Sequence, residues 1–393
     1  MVSTYLVEPI DTLMIRGNRS FGEGGEYGQA VMPPWPSVFS GAFRSAILAR
    51  EKVDIASFLS GKLQGTEIDQ VLGNPLHKTW GTMRISRINF VRADINGSLE
   101  LLYQMPYDLE VASSSTQKSE TSFLKWRSPQ ELQGLNLLSS ASLSGVALIR
   151  GPKTGKARKG FLLGQAGFDK WRVGRLPENS DLIPMSSLFK SEVRLGIGIN
   201  TKRRTAESGL LYTTDAVTLA DGVAFCVEVA GDGELLGESG LLRLGGDGRA
   251  ATYRKIAVRT IPSLSGNSEM RIMVSSPAIF PGGWMLPGSK EVIDAGRPKT
   301  IFDLPGGFSA EIFAVALARP AVISGWSMVQ NKPKPAQRSV TPGSIYFLRY
   351  CTGDFSVLED WVADGMWGGE LGASDEQRRS EGFNSGYLAS GFL

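Results

Sequence analysis

A single histidine restricts the chemistry open to this chain. Of its 393 residues only His77 carries an imidazole, and serine–histidine, cysteine–histidine and multi-histidine metal sites all need one within reach. His77 sits in the turn-rich stretch LGNPLHKTWG, where it reads as a loop histidine with general-base work as the alternative. Cys226 and Cys351 lie far apart in apolar, strand-like runs and match no metal or disulfide spacing, so both are expected to be buried free thiols. The carboxylates are scattered. Asp11 near the end of the first strand, Asp108 after Met-Pro-Tyr and Asp247 among glycines form no magnesium-binding cluster, and each is read as a cap, turn or surface group. No catalytic residue, metal ligand or cofactor is assigned.

Two glycine-containing stretches invite a phosphate reading. RGPKTGKARKG has three residues rather than four between its first glycines and Ala after the Lys, so it fails as a phosphate-binding loop of the Walker type. LGGDGRAATY, residues 244–253, matches neither that loop nor the dinucleotide fingerprint. Its alternatives are a structural corner or a turn against a nucleic-acid backbone. The preceding GELLGESGLLRL has apolar positions spaced like a short amphipathic helix, so the glycines are expected to follow a helix.

Positive charge is concentrated although the net charge is only +3. Between Arg150 and Arg175 eight basic residues, among them Lys153, Lys156, Arg158 and Lys159, stand against Asp169 alone. Lys202, Arg203 and Arg204 occupy the tip of an expected hairpin. Such loops suit a polyanion, because Lys and Arg attract phosphates and glycine turns let backbone N–H groups approach them. A solvated turn is the alternative for the hairpin tip. Phe161, Phe168 and Trp171 are interleaved with the first basic segment and either stack bases or pack in the core.

The elements that must position these residues are mostly strands. With 47 Gly and 20 Pro the chain reads as a loop-rich β or α+β protein, and 42% hydrophobic residues suffice for a sizeable core. TYLVEPIDTLMIR reads as an opening strand or a strand pair with a break at Pro9. WPSVFSGAFRSAILARE is the best helix, starting at Pro36 and Ser37, with Val38, Phe39, Ala42, Phe43, Ala46 and Ile47 on one face. MRISRINFVRA and GSLELLYQMPYDLEVA alternate as strands do. Residues 111–143 are rich in Ser, Thr and Gln and read as a long excursion. EVRLGIGIN and GLLYTTDAVTL flank the basic tip, AFCVEVAG follows, and from about 270 the cadence restarts with RIMVSSPAIF. Two α+β domains of ferredoxin-like (RRM-like) topology fit this recurrence, divided as 1–255 and 256–393, although periodicity does not select the fold. No run approaches the ~18 apolar residues of a membrane span, and a cytoplasmic protein is expected.

Several segments in order carry a family resemblance: PIDTLMIRGNRSFG, PPWPSVFSGAFRSAIL, RLGIGINTKRRTAESGLLYTTDAVTL, LGGDGRAA, SSPAIFPGGW and ARPAVISGWSMVQNKPKPAQRSVTPGSIYF. Together they resemble the repeat-associated (RAMP) superfamily subunit of the type III-B, or Cmr, CRISPR effector complex. More narrowly they are similar to the Cas-five-like subunit that grips the 5′ handle of the CRISPR RNA (crRNA). The resemblance runs through nearly the whole chain except residues 111–145. It implies two ferredoxin-like halves with long insertions, a protruding β-hairpin and a glycine-rich loop. It places Ser37, Ser40 and Arg44 as RNA-backbone contacts and makes Gly245, Gly246, Gly248 and Arg249 the superfamily loop, with Asp247 and Arg249 orienting it or meeting phosphate. The implied partners are the crRNA 5′ handle, the large polymerase-type subunit and the RAMP backbone subunits, with no membrane. The expected function is noncatalytic RNA binding and assembly. The rival expectations are a metal-independent ribonuclease that processes precursor crRNA and a protein-only scaffold.

Overall fold

The computed structural model describes residues 2–15, 27–28, 30–94, 96–113, 119–127, 141–148, 159–200, 202–328, 330–368 and 375–391. Its strands lie mainly in two antiparallel sheets. The first contains β1 (Val2–Pro9), β2 (Arg84–Ala93), β3 (Leu99–Gln104), β4 (Phe161–Leu163), β5 (Leu182–Pro184), β8 (Val223–Ala230), β9 (Ser239–Arg243) and β10 (Ala250–Lys255), in the order β5-β4-β3-β2-β8-β1-β10-β9. Between β5 and β8 a long hairpin, β6 (Phe189–Asn200) and β7 (Thr205–Leu219), forms a separate small sheet with Tyr27–Gly28. The second large sheet contains β11 (Glu269–Val274), β12 (Ser289–Asp294), β13 (Arg297–Leu304), β14 (Phe308–Ala316), β15 (Ile345–Thr352) and β16 (Gly386–Ser390), ordered β12-β13-β14-β15-β11-β16.

Alternation along the strands explains the layering. On β1, Tyr5 and Val7 enter one core with Phe39, Phe43 and Ile47 of helix α1 (Pro36–Arg50), whereas Leu6 points to the opposite face. On β8, Phe225 and Val227 follow Tyr5, while Ala224 and Cys226 follow Leu6. That opposite face meets Met273, Phe347 and Ala389 of the second sheet in a shared core. Met270, Ile272 and Val274 of β11 turn away from it toward Leu358 and Val362 of helix α3 (Phe355–Ala363). The layers are therefore helix, sheet, sheet, helix. This is why central strands such as VAFCVEVA are apolar on both faces. Each fully buried Phe or Leu contributes about 1.5–3 kcal/mol to the stack.

In each sheet the central strands run second, third, first, fourth in chain order: β2-β8-β1-β10 and β14-β15-β11-β16. The first set keeps a helix, α1, after its first strand; the second keeps helices α3 and α4 (Glu376–Glu381) before its last. α1 begins with Pro36, whose missing N–H costs nothing in the first turn, and the face expected to be apolar is the one that is buried. Short helices Ile55–Leu59 and α2 (Gln165–Arg172) fill connections in the first half.

One expected element is different. GLLR is strand β9, and the glycines follow a strand and form the β9–β10 connection. Leu242 and Leu244 are buried while Leu241 and Arg243 are exposed, so the period is two. Four residues are too few to separate that alternation from a helical stripe. Cys226 and Cys351 are both buried free thiols, pushed up to about 12 by desolvation.

Candidate nucleic-acid interface

The glycine turn is built from backbone bonds. Leu244 N–H donates to Arg249 O at 2.8 Å, closing a loop whose centre is a short 3-10 turn, Gly246–Gly248. Gly245 has φ +81° and Gly248 φ +62°, both in the left-handed region that favours glycine. A Cβ on Gly245 would lie 2.8 Å from Met14 O, so close packing also excludes a side chain there. A Cβ on Gly248 would meet nothing closer than Arg243 Cδ at 3.8 Å. Gly245 is thus fixed by the fold, whereas Gly248 leaves open space over the turn. Arg249 pairs with Asp11 and so ties the turn to the end of β1. The Thr12 N–H, and after it the Arg249 guanidinium, hold the Asp11 carboxyl below the usual range.

A three-residue segment connects this turn to the hairpin. Leu13 exchanges both backbone hydrogen bonds with Val217 near the base of β7, at 2.7 and 2.8 Å. Met14 O then accepts from Gly246 N–H at 2.7 Å, and Ile15 O accepts from Val31 N–H at 3.2 Å on the approach to α1. The buried Asp215 carboxylate of β7 accepts from Ala30 N–H at 3.0 Å. Hairpin base, glycine turn and the entry to α1 therefore share one frame. Sequence reading missed Leu13–Ile15 as the connector, because pairings so distant along the chain leave no local signature.

At the far end of the hairpin, Asn200 Oδ1 accepts from the N–H groups of Lys202 and Arg203 at 3.1 and 3.0 Å. Arg204 turns the corner with φ +53°. Lys202, Arg203 and Arg204 are all exposed. Ser191 pairs with Val217, so Asn200 lies nine positions beyond the base along β6; at ~3.3 Å per residue the tip stands roughly 30 Å away. Only an extended ligand reaches both ends.

Other expected contacts lie elsewhere. Ser37, Ser40 and Arg44 of α1 line a cleft of about 1020 Å³ whose far wall belongs to the C-terminal half. Arg44 donates to Leu72 O at 2.6 Å, Met83 O at 3.1 Å and Ser40 Oγ at 3.3 Å, and burial lowers its guanidinium to about 10. These bonds tie α1 to its neighbours. Lys159 is exposed just before β4, while Lys153, Lys156 and Arg158 lie outside the described residues. His77 is exposed in the turn that follows Asn74.

Phe168 and Trp171 take the core-packing alternative: both are fully buried between the sheets, Phe168 stacked on Tyr103 with ring centroids 3.7 Å apart, so neither is available to a base. One reading needs correction. Asp108 is no surface group. Its carboxylate is 2% exposed and accepts from Arg271 at 2.6 Å and from Trp171 Nε1–H at 2.9 Å. The sequence did hold a signal for this site: Arg271 interrupts the apolar strand EMRIMV, and a charge there requires a buried partner.

Two stacked antiparallel sheets, each with a second-third-first-fourth core, together with a glycine turn wired to a long basic hairpin, define an α+β protein with one elongated surface frame. The family model of the CRISPR-associated protein (Cas_Cmr3) matches residues 5–390, and the chain belongs to that family. No curated protein sequence matches it. Among solved structures it is similar to a chain of type III-B Cmr-beta bound to cognate target RNA and AMPPnP, at 14% identity and TM-score 0.49, with 98% of this chain and 95% of that chain covered. A second Cmr-beta structure bound to cognate target RNA gives the same identity and score, covering 98% and 96%. The apo Cmr-beta structure gives 13% identity and TM-score 0.27, covering 65% and 97%. Among the described residues no helix is long and apolar enough to cross a membrane.

Proposed function

We propose that this chain is the noncatalytic subunit of a type III-B effector that holds the crRNA 5′ handle and docks the large polymerase-type subunit at that end of the guide. The observation carrying this reading is the Met14–Gly246 hydrogen bond beside the Leu13–Val217 pair, which sets an open glycine turn and a basic hairpin in one frame. A single strand following that frame would meet backbone N–H groups at the turn and three exposed cations at the tip, contacts that grip phosphates without reading sequence. Family membership and the second-third-first-fourth strand order, that of ferredoxin-like halves, support the same reading. Each half would then have traded one of its two crossover helices for strands and turns. Of the carboxylates singled out from the sequence, Asp11 is paired with Arg249 and Asp108 is buried against Arg271. The test is to incubate the purified chain with repeat-containing precursor RNA and with mature handle RNA, with and without magnesium. Binding of the handle without cutting is expected. Cutting abolished by His77→Ala would make the chain a processing ribonuclease instead.

A further inference from the structure

The stretch ISGWSMVQNKPKPAQRS, residues 323–339, lies within a segment singled out in the sequence, and the frame of hairpin and glycine turn does not use it. With the two residues before it, it forms an arm of the second half: Ala321–Ile323 pairs with Gln337–Ser339, and Trp326–Ser327 with Lys332–Pro333. The arm leaves between β14 and β15, the second and third strands of that half's core. The basic hairpin leaves the first half between β2 and β8, which hold the same two places. Each half thus projects a strand pair from an equivalent position.

The arm carries the chemistry of a single-strand grip. No Asp or Glu stands between Glu311 and Asp354, against five Lys or Arg. Lys334 pairs with Glu381, Arg378 donates to Ser324 O at 3.2 Å and to Gln337 Oε1 at 2.9 Å, and Ile323 is buried with Trp367 and Phe383, so the arm is seated firmly on α4. Arg319, Lys332 and Arg338 remain exposed and in no ion pair among the described residues. Trp326, 52% exposed, precedes the residue that pairs with Lys332. Free cations follow a phosphate backbone, and an exposed indole stacks a base. Trp326 and Trp80 (37% exposed) line the α1 cleft from opposite halves of the chain. The carboxylates of that cleft have partners of their own: Asp375 caps α4, Glu376 lies 3.8 Å from Arg379, and Glu381 holds Lys334 and Arg378. The cleft is also continuous with the frame. Val31 donates to Ile15 O within the frame, and Ser37, six positions on and so roughly 20 Å away at most, lines the cleft.

We infer that the arm of residues 321–339 is a second grip on the same guide strand, taking it where it leaves the frame past the start of α1. Trp326 stacks on a base, and Arg319, Lys332 and Arg338 meet the phosphates around it. The inference rests on the reading that this chain holds the crRNA.

Binding of crRNA to the full chain separates the two. Wild type is compared with Trp326→Ala, with Trp326→Phe, with a variant carrying Ala at Arg319, Lys332 and Arg338, and with one carrying Ala at Lys202, Arg203 and Arg204. Trp326→Ala is expected to weaken binding on the order of tenfold and Trp326→Phe much less, because Phe keeps a face for stacking. Removing the three arm cations should lower the log–log salt slope by up to about 0.7 per lost contact. An RNA shortened from the end that the arm holds should bind wild type more weakly and no longer respond to the arm variants. The thermal midpoint should stay at the wild-type value, since the replaced side chains are exposed; binding lost only together with a lowered midpoint would make the arm a structural element instead. Unchanged crRNA binding in the arm variants, beside weakened binding in the hairpin variant, would overturn the second grip and leave the hairpin reading standing. Unchanged crRNA binding with lost assembly into the effector would make the arm a protein seat and overturn the inference. A wild-type chain that binds no crRNA would overturn the underlying reading, and the inference with it.

Discussion

Arg271 and Asp108 form a buried ion pair at 2.6 Å that spans the two sheets, Arg271 on the first strand of the second sheet and Asp108 just beyond β3 of the first. Arg271 also donates to Trp171 O at 2.8 Å, and its guanidinium lies 4.8 Å from the Trp171 ring centroid. Other polar contacts join the halves, among them Tyr387 donating to Asn89 Oδ1 at 3.0 Å and Arg172 to Leu388 O at 3.1 Å, and this buried charged cluster acts with them to specify the relative seating of the halves. Removing one member of a buried pair strands the other charge, whereas removing both does not. We expect Arg271→Met to cost about 3–5 kcal/mol, and the double variant with Asp108→Asn to cost less than the sum of the two single variants by about 0.5–3 kcal/mol. Urea unfolding measures the cycle; strict additivity would show that the pair is not coupled.

The hairpin tip should act on phosphates and not on bases. Replacing Lys202, Arg203 and Arg204 by Ala is expected to weaken handle binding and to flatten its salt dependence by up to about 0.7 in log–log slope per lost contact. Preference among handle sequences should stay unchanged. Titrations at several salt concentrations decide it, and an unaltered slope would leave the tip a solvated turn.

Gly245 and Gly248 should respond differently to the same substitution. At Gly245 both the positive φ and Met14 O oppose a side chain, so Gly245→Ala is expected to lower the thermal midpoint clearly, with strain of about 1–3 kcal/mol. Gly248→Ala meets no neighbour and should carry only the left-handed cost of about 1–2 kcal/mol. Gly248→Val should retain the fold yet bind the handle more weakly, since its branch fills the space over the turn. Equal effects at the two sites on both midpoint and binding would contradict the division between a structural and a ligand-facing glycine.

Acid should loosen the turn. The Asp11 carboxyl is held below its ordinary range in the folded chain, so its contribution is present above the unfolded value of about 3.9 and is lost as the pH falls through the lower folded value. The amide of Gly246 should therefore lose hydrogen-exchange protection below about pH 4 in wild type. In Asp11→Asn that acid step should be absent. A step that survives in the variant would place its origin at another carboxylate.

What could be read from the sequence depended on the range of the interaction. The α1 face from Phe39 to Ile47 and the hairpin around Lys202–Arg204 were legible because helical spacing and a basic turn between alternating strands are local patterns. The stretch Gly240–Leu244 misled because Leu242 and Leu244 suit either a short helix or a strand until β10 is known to pair beside it. For Trp171, amid Lys170 and Arg172, local pattern left stacking and core packing both open, and helical geometry turns its ring inward to Asp108. The linkage of Met14 to Gly246 and the cleft between Trp80 and Trp326 each join residues hundreds of positions apart, and no spacing rule reaches that far.

The central claim is that RNA runs along the hairpin and glycine turn. Ultraviolet crosslinking of the effector purified from its native host, followed by sequencing of the RNA attached to this chain and mass spectrometry of the crosslinked peptides, tests it most directly. The account predicts guide RNAs that share one 5′ handle, crosslinked to peptides containing residues 202–204 or 245–249. Guide RNA attached only to peptides lining the α1 cleft, or an effector in which this chain crosslinks to no guide RNA, would contradict it.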